Sequence, residues 1–284
     1  MFFFNLFKSG LVKIVLFIQF CKYRLFKKKY SKDRIELFKH FLNFYSFNLN
    51  NRSPLDLKTR KYSIGISLDE SFFSVDIDKF TGYEGYFTFN NIAPLYKSAL
   101  EIYENPNLRH KDSYLWTYFK NFKPKNYGEL YKLRKENSLY NLPSYLDFKP
   151  WINSKPEPSE LKKGLFGPAD ENEIIHRLLR LKNIFINVKR FGYVPTEVDI
   201  IKGYFLLSKS DYRFLITSGH HRVAILKAIN YKELAKYKFI QVKLEKSRSN
   251  IKIVEESKID LWPAVRSKFC SIQDALEIFE KFFN

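Results

Sequence analysis

Cysteine is almost missing from this chain: Cys21 and Cys270 are the two among 284 residues. That count excludes a disulfide framework, neither residue has a partner at zinc-ligand spacing, and a reducing, cytoplasmic setting is the expectation. The five histidines make no better metal set. His40, His110 and His176 stand apart, and the adjacent His220 and His221 lack the i, i+4 spacing that puts two imidazoles on one helix face; no metal site is expected. Acid is absent from the first thirty residues, where Lys8, Lys13, Lys22, Arg24, Lys27, Lys28 and Lys29 meet no Asp or Glu. A long apolar run is absent too. Leu11 to Phe20 reads LVKIVLFIQF, but lysines break every window of the roughly 20 apolar residues that span a bilayer. The basic cluster follows the apolar stretch instead of preceding it, unlike a secretory signal. Residues 1–30 therefore read as an amphipathic helix, which either packs on the protein's own core or lies on an anionic membrane surface.

What is abundant is positive charge and aromatic side chains. The net charge is +19, with 29 Phe and 19 Tyr, enough to make nucleic acid or anionic lipid an expected partner. The excess lies in Lys more than Arg, beside many Asn and Ile and little Ala. An AT-rich coding bias yields the same mixture, so composition leaves both origins open.

Along the chain the periodicity changes. Ile35, Phe38, Leu42 and Tyr45 give a helical rhythm between Ser31 and Asn50, and Tyr62 to Ile77 alternates like strands. Pro94 to Glu104 reads as a helix, while Asn105 to Trp151 has no firm period. Residues 31–152 are thus a mixed region of unassigned fold. The Pro-, Ser- and Lys-containing stretch 153–169 predicts a linker or surface crossing and a domain boundary. Beyond it, Asp170 and Glu173 form a capping-box pattern ahead of Ile174, Leu178, Leu181, Phe185 and Val188, with Gly192 as the stop. Asp199–Leu207 and Tyr212–Thr217 predict a hairpin around Ser208–Asp211. A short helix, Arg222–Ile229, would stop at Asn230, and Phe239–Leu244 would be a third strand. In the last segment, 251–284, Ser271 and Asp274 cap a helix with Ile272, Leu276, Phe279 and Phe283 on its apolar face.

The most informative stretch is FLITSGHHRVAILKA, Phe214 to Ala228, in which a strand ends on Ser218-Gly219 and a helix begins on His220-His221-Arg222. A helix start offers unpaired N–H groups and partial positive charge, so an anion can settle there with Arg222 as a bidentate partner. Ser218, Gly219, His221 and Arg222 are the expected phosphate-binding set. His220 or His221 would carry a proton near neutral pH or donate a hydrogen bond to phosphate. The plainer alternative has Ser218 capping the helix, Gly219 supplying the turn, Arg222 pairing with a buried carboxylate and both histidines facing solvent.

The placement of SGHHRVAILKAI between strand and helix resembles the ParB/sulfiredoxin superfamily, on Gly219, His221 and Arg222 as its G-x-H-R core and Ala224 and Leu226 after it. The resemblance covers residues 170–250 at most and implies an α+β chain with a C-terminal ParB/sulfiredoxin-like module of small mixed sheet with helices. It implies a nucleotide or other phosphate-bearing ligand, and phosphoryl transfer or hydrolysis with Mg²⁺ where catalysis is present. His220 stands where sulfiredoxins carry their catalytic cysteine, which argues against that chemistry. Residues 251–284 leave no room for the helix-turn-helix of chromosome-partitioning members. A ParB-like nuclease or nucleic-acid binder, and a non-enzymatic membrane-surface assembly protein, are the alternatives. For a base, Glu173 at the head of the first helix is the candidate, with His176 and Arg177 one turn on. The aromatic-basic middle region and Trp262-Pro263 are similar to uncharacterised bacterial proteins that carry this module in surface-polysaccharide gene clusters.

Overall fold

The computed structural model describes residues 72–82, 93–158, 166–195, 199–234, 236–245 and 253–283. The chain divides into two units, 1–49 and 50–284, and the described residues belong to the second. The expectations for the basic segment 1–30, for the helix within 31–50 and for residues 62–71 lie outside them.

The centre is strand β5, Ile201–Leu207, buried along most of its length. A buried strand needs partners for the backbone groups on both edges. On one edge it pairs antiparallel with β6, Tyr212–Ser218, in the hairpin the sequence predicts. The other edge is divided: β7, Phe239–Leu244, runs parallel beside Ile201–Gly203, and β8, Ile253–Glu255, runs parallel beside Phe205–Leu207. Outside β7 lies β1, Phe72–Asp76, antiparallel to it; outside β6 lies the short β2, Phe80–Thr81. The expected α+β class is therefore present as a mixed six-stranded sheet with helices. A separate two-stranded ribbon joins β3, Leu146–Asp147, to β4, Glu157–Pro158.

Residues that pair directly across β5 and β6 share a face, so Phe205 with Phe214 and Tyr204 with Leu215 point to opposite sides of the sheet. On the first side Phe205 meets Phe73 and Phe214 edge-on, and Phe214 meets Phe80. On the second side Tyr204 accepts a hydrogen bond at 3.1 Å from the indole of Trp151. Trp151 packs edge-on with Trp262, Phe279 and Phe282.

Three helices pack together. Helix α1, Pro94–Glu104, starts on a proline whose missing N–H costs a helix nothing at that position. Helices α2, Tyr114–Asn121, and α3, Tyr127–Tyr131, occupy the stretch without a clear period. Helix α4, Glu171–Phe191, has Asp170 accepting from the Glu173 N–H at 2.8 Å, buries the predicted stripe from Ile174 to Val188, and ends at Gly192 with φ 78°. Helix α5, His220–Lys232, packs against both α1 and α4 and buries Val223–Leu226, Ala228 and Ile229. The short α6, Pro263–Arg266, precedes α7, Ile272–Glu280.

Three expectations need correction. Elements from both sides of residues 153–169 share one sheet and one core, with β1 on β7 and α1 against α5, and Phe166 and Ala169 at its end are buried in that core, so no domain boundary separates the two sides. Asn230 does not stop α5: it lies inside the helix, and its side chain accepts from the Tyr237 N–H at 2.8 Å, beyond the turn. On α7 the buried face is Ala275, Ile278 and Phe279, continued by Phe282 in the turn after it, while Ile272 is exposed. Both sets repeat at helical spacing and share Phe279, so the cap at Ser271 did not reveal the rotation.

Gly203 lies next to the irregularity in the β5–β6 pairing: a Cβ there would sit 2.1 Å from the Leu215 carbonyl oxygen, a backbone atom that cannot swing away. Gly203→Ala is expected to lower stability by about 2–3 kcal/mol in urea unfolding. A loss below about 0.5 kcal/mol, within the range of ordinary surface changes, would show that the hairpin can open there without cost.

Candidate functional site

Ser218 is the last residue of β6 and pairs with Lys202; the chain then turns at Gly219 into α5. Gly219 has φ 105°, a left-handed conformation that side chains disfavour, and a Cβ on it would lie 2.9 Å from Ile201 Cγ1. It is the N-cap of α5, and no side chain caps the helix, so Ser218 does not act as the cap that the plainer alternative assigned to it. The Gly219 carbonyl accepts from the N–H groups of Arg222 and Val223 at 2.9 and 3.1 Å. Among the described residues the N–H groups of His220 and His221 find no acceptor. Those are the donors that a helix start offers to an anion.

A pocket of about 220 Å³ opens here, lined by Thr217, Ser218, Gly219, His220, His221 and Arg222, and across from them by Arg180 and Ile184 of α4. No lining residue carries a carboxylate. Both histidines line it together, although adjacent helical positions usually diverge; at the first two positions of α5 both flank the open end. Neither is solvent-facing as the plainer alternative has it. The Nε2 atoms of both are buried and without a hydrogen-bond partner. Burial pushes His220 down to about 4, opposed by the Ile216 carbonyl, which favours a proton on the ring. Burial, then the charges of Arg180 and Arg177, push His221 down to about 3. Both rings are neutral at neutral pH, so the expected proton exchange in that range gives way to neutral hydrogen bonding.

Arg222 lines the pocket but also holds Asp199, on the approach to β5, in an ion pair. The expected bidentate phosphate partner is thus shared with a carboxylate, and that carboxylate is exposed, not buried. Glu173 does not line the pocket. Its backbone N–H donates to Asp170 and its carboxylate takes Arg177 at 2.7 Å, so it reaches the site only through that arginine. Arg177 also lies over the Phe119 ring at 4.6 Å. His176 is exposed on α4 and not part of the lining. The residue missed in the sequence is Arg180, exposed and without a carboxylate partner among the described residues. Its signal is the i, i+3, i+7 relation of Arg177, Arg180 and Ile184, which puts them along one side of α4.

Elsewhere, Cys270 is buried and its thiol is pushed up to about 12, mainly by burial, which leaves it a poor nucleophile. Among the described residues no group of three His, Cys, Asp or Glu side chains could hold a metal ion, and no helix is long and apolar enough to cross a membrane. Compared with known proteins, the chain matches no family model, no curated protein and no solved structure.

Two histidines with folded values well below their ordinary 6.5 bind fewer protons folded than unfolded. Their contribution to stability is complete above about pH 6.5 and is lost as the pH falls toward 4 and then 3. Thermal unfolding followed from pH 7.5 to 4 should therefore show a falling Tm, and His220→Gln/His221→Gln should flatten that slope. An unchanged slope in the double variant would mean that the rings are hydrated and titrate normally.

Proposed function

We propose that this protein binds a phosphate-bearing ligand, a nucleotide as the favoured class, in the pocket at the head of α5, as a ParB/sulfiredoxin-like module would. The observation that carries this is the lining: an arginine without a carboxylate partner among the described residues, a second arginine, free helix-start N–H groups, two imidazoles with unpartnered Nε2 atoms, and no carboxylate. Two guanidinium groups disfavour a cation there, and an anion receives charge-assisted hydrogen bonds from both walls. At about 220 Å³ the pocket is smaller than the roughly 300–1,000 Å³ that encloses a drug-sized ligand. It suits a phosphate group, with the nucleoside or sugar lying outside the mouth.

In this reading Gly219 lets the backbone approach the phosphate, the N–H groups of His220 and His221 hold its oxygens, and Arg180 with Arg222 neutralises its charge. His220 and His221 act as neutral partners; groups with values near 4 and 3 are weak general bases at pH 7. Phosphoryl transfer or hydrolysis is the reaction class such a site serves, because positioning and charge neutralisation supply most of its catalysis. The setting we assign is the cytoplasm of a bacterium, in cell-surface polysaccharide metabolism.

A panel of nucleoside mono-, di- and triphosphates, with inorganic phosphate and with or without Mg²⁺, should raise Tm for at least one class, since a ligand that binds only the folded state stabilises it. Arg180→Ala is expected to weaken that ligand by roughly tenfold or more while leaving the unliganded Tm unchanged, because Arg180 is exposed. A flat panel, or undiminished affinity in Arg180→Ala by calorimetry, would remove this assignment.

A further inference from the structure

The far end of α4 and α5 carries an unusual surface. Phe191, Tyr231, Leu234 and Phe239 are large, apolar and exposed. They come from the end of α4, the end of α5, the turn after it and the start of β7. The parts are tied together: Lys189 of α4 pairs with Glu233 at 2.5 Å, and Lys236 joins the same carboxylate at 3.0 Å. Tyr103 of α1 donates to Glu233 at 3.2 Å, and the Tyr237 hydroxyl lies 3.8 Å from where a Cβ on Gly192 would be. Interleaved with the apolar side chains are five cations, Lys189, Arg190, Lys232, Lys236 and Lys238. The carboxylates beside them are Glu233, Glu104, which pairs with Lys232 at 2.6 Å, and Asp76, opposite Phe239 in the sheet. Arg190 and Lys238 have no carboxylate partner among the described residues and lie instead over the rings of Phe191 and Phe239.

We propose that this end of the molecule docks on an anionic lipid surface, with Leu234, Phe239, Tyr231 and Phe191 entering the headgroup layer and the cations meeting lipid phosphates and carboxylates. Leu234 carries most of the weight. It is 93% exposed and has φ 50°, a backbone conformation that glycine and asparagine adopt more readily, so neither packing nor the turn calls for leucine. An apolar layer above the turn does. Aromatic and aliphatic tips rimmed by long cationic side chains match the interface between headgroups and acyl chains, where Lys and Arg reach outward to charge and the rings stay partly buried. Single-stranded nucleic acid fits less well: an aliphatic tip gives a base nothing to stack on, and cations already lie over Tyr231, Tyr237, Phe239 and Phe191. None of the residues named for this surface lines the pocket. The thirteen residues of α5 put it about 20 Å from the pocket at 1.5 Å per residue, so a docked molecule keeps its pocket open to solution.

The test is vesicle flotation of the full chain, with phosphatidylcholine alone and with added phosphatidylserine. Binding is expected to need the anionic lipid, and Arg190→Glu/Leu234→Asp/Lys238→Glu should lower it by roughly tenfold or more at unchanged circular dichroism. Residues 1–30 are common to both chains, so the comparison is read at limiting anionic lipid, where loss of a second contact surface lowers the fraction bound; an unaltered fraction there overturns the proposal. In a second measurement, independent of the charge reversals, Leu234→Trp should gain a blue-shifted emission on adding anionic vesicles that brominated lipid quenches. An emission unmoved at saturating lipid overturns the proposal, as does a variant that keeps its vesicles but loses retention of a single-stranded oligonucleotide.

Discussion

Strand β5 has no free edge, and most of the architecture follows from that. Its backbone groups are buried, so each needs a partner, and leaving one unmade costs more than making it gains. The hairpin to β6 satisfies one side. The other side is longer than β7 covers, since β7 pairs only with the first residues of β5, and β8 returns after a further loop to complete it. The same register decides where the site lies. Ser218 pairs with Lys202 at the beginning of β5, so the chain leaving β6 must turn at once over Ile201. Only a residue without a Cβ makes that turn without a clash. The head of α5 is positioned by the sheet, and the packing of α4 on α5 adds the opposite wall of the pocket.

The electrostatics of the pocket follow from which groups can give up charge. Imidazole can, and beside buried backbone and two guanidinium groups it does, which is why His220 and His221 are held neutral. Guanidinium cannot, so Arg177, Arg180 and Arg222 must be compensated from outside. Two of them are: Arg177 by Glu173 and Arg222 by Asp199. Each acid stands at the edge, and none enters the lining. Arg180 is left with its charge uncancelled by any described side chain, in front of N–H groups that also lack acceptors. A site compensated at its rim but not at its centre favours an anion that arrives from solution over one supplied by the protein.

Local structure was readable from the sequence wherever one face had to be buried. The α4 stripe, the hairpin, β7 and the span of α1 came from period and turn chemistry alone, because those signals sit within a dozen residues. What could not be read was which distant elements share a core. Nothing local in Phe73 and Val75 says that they will pair with Val242 and Ile240, and so residues 153–169 looked like a boundary. The motif gave Ser218 to Arg222 correctly as one cluster, because the αL turn and helix start are contiguous. It did not give Arg180, which arrives through the packing of α4 on α5, and it misjudged the histidines. Whether an imidazole is buried depends on what lies opposite, and that is a property of the fold.

Helices α4 and α5 run in the same sense, since Arg180 and Ile184 face the first residues of α5 while Lys189 meets Glu233 near its end. Their C-termini therefore come together, and two partial negative charges at one end attract cations. Lys189 and Lys232 have that explanation, strengthened by Glu233 and Glu104. It does not extend to the apolar residues among them, nor to Lys238, which follows the turn and begins neither helix end. Helix dipoles account for a basic rim; they give no reason for leucine and phenylalanine to stand in water inside it. No described residue covers those side chains, and burial of their apolar surface is the free energy that docking would gain.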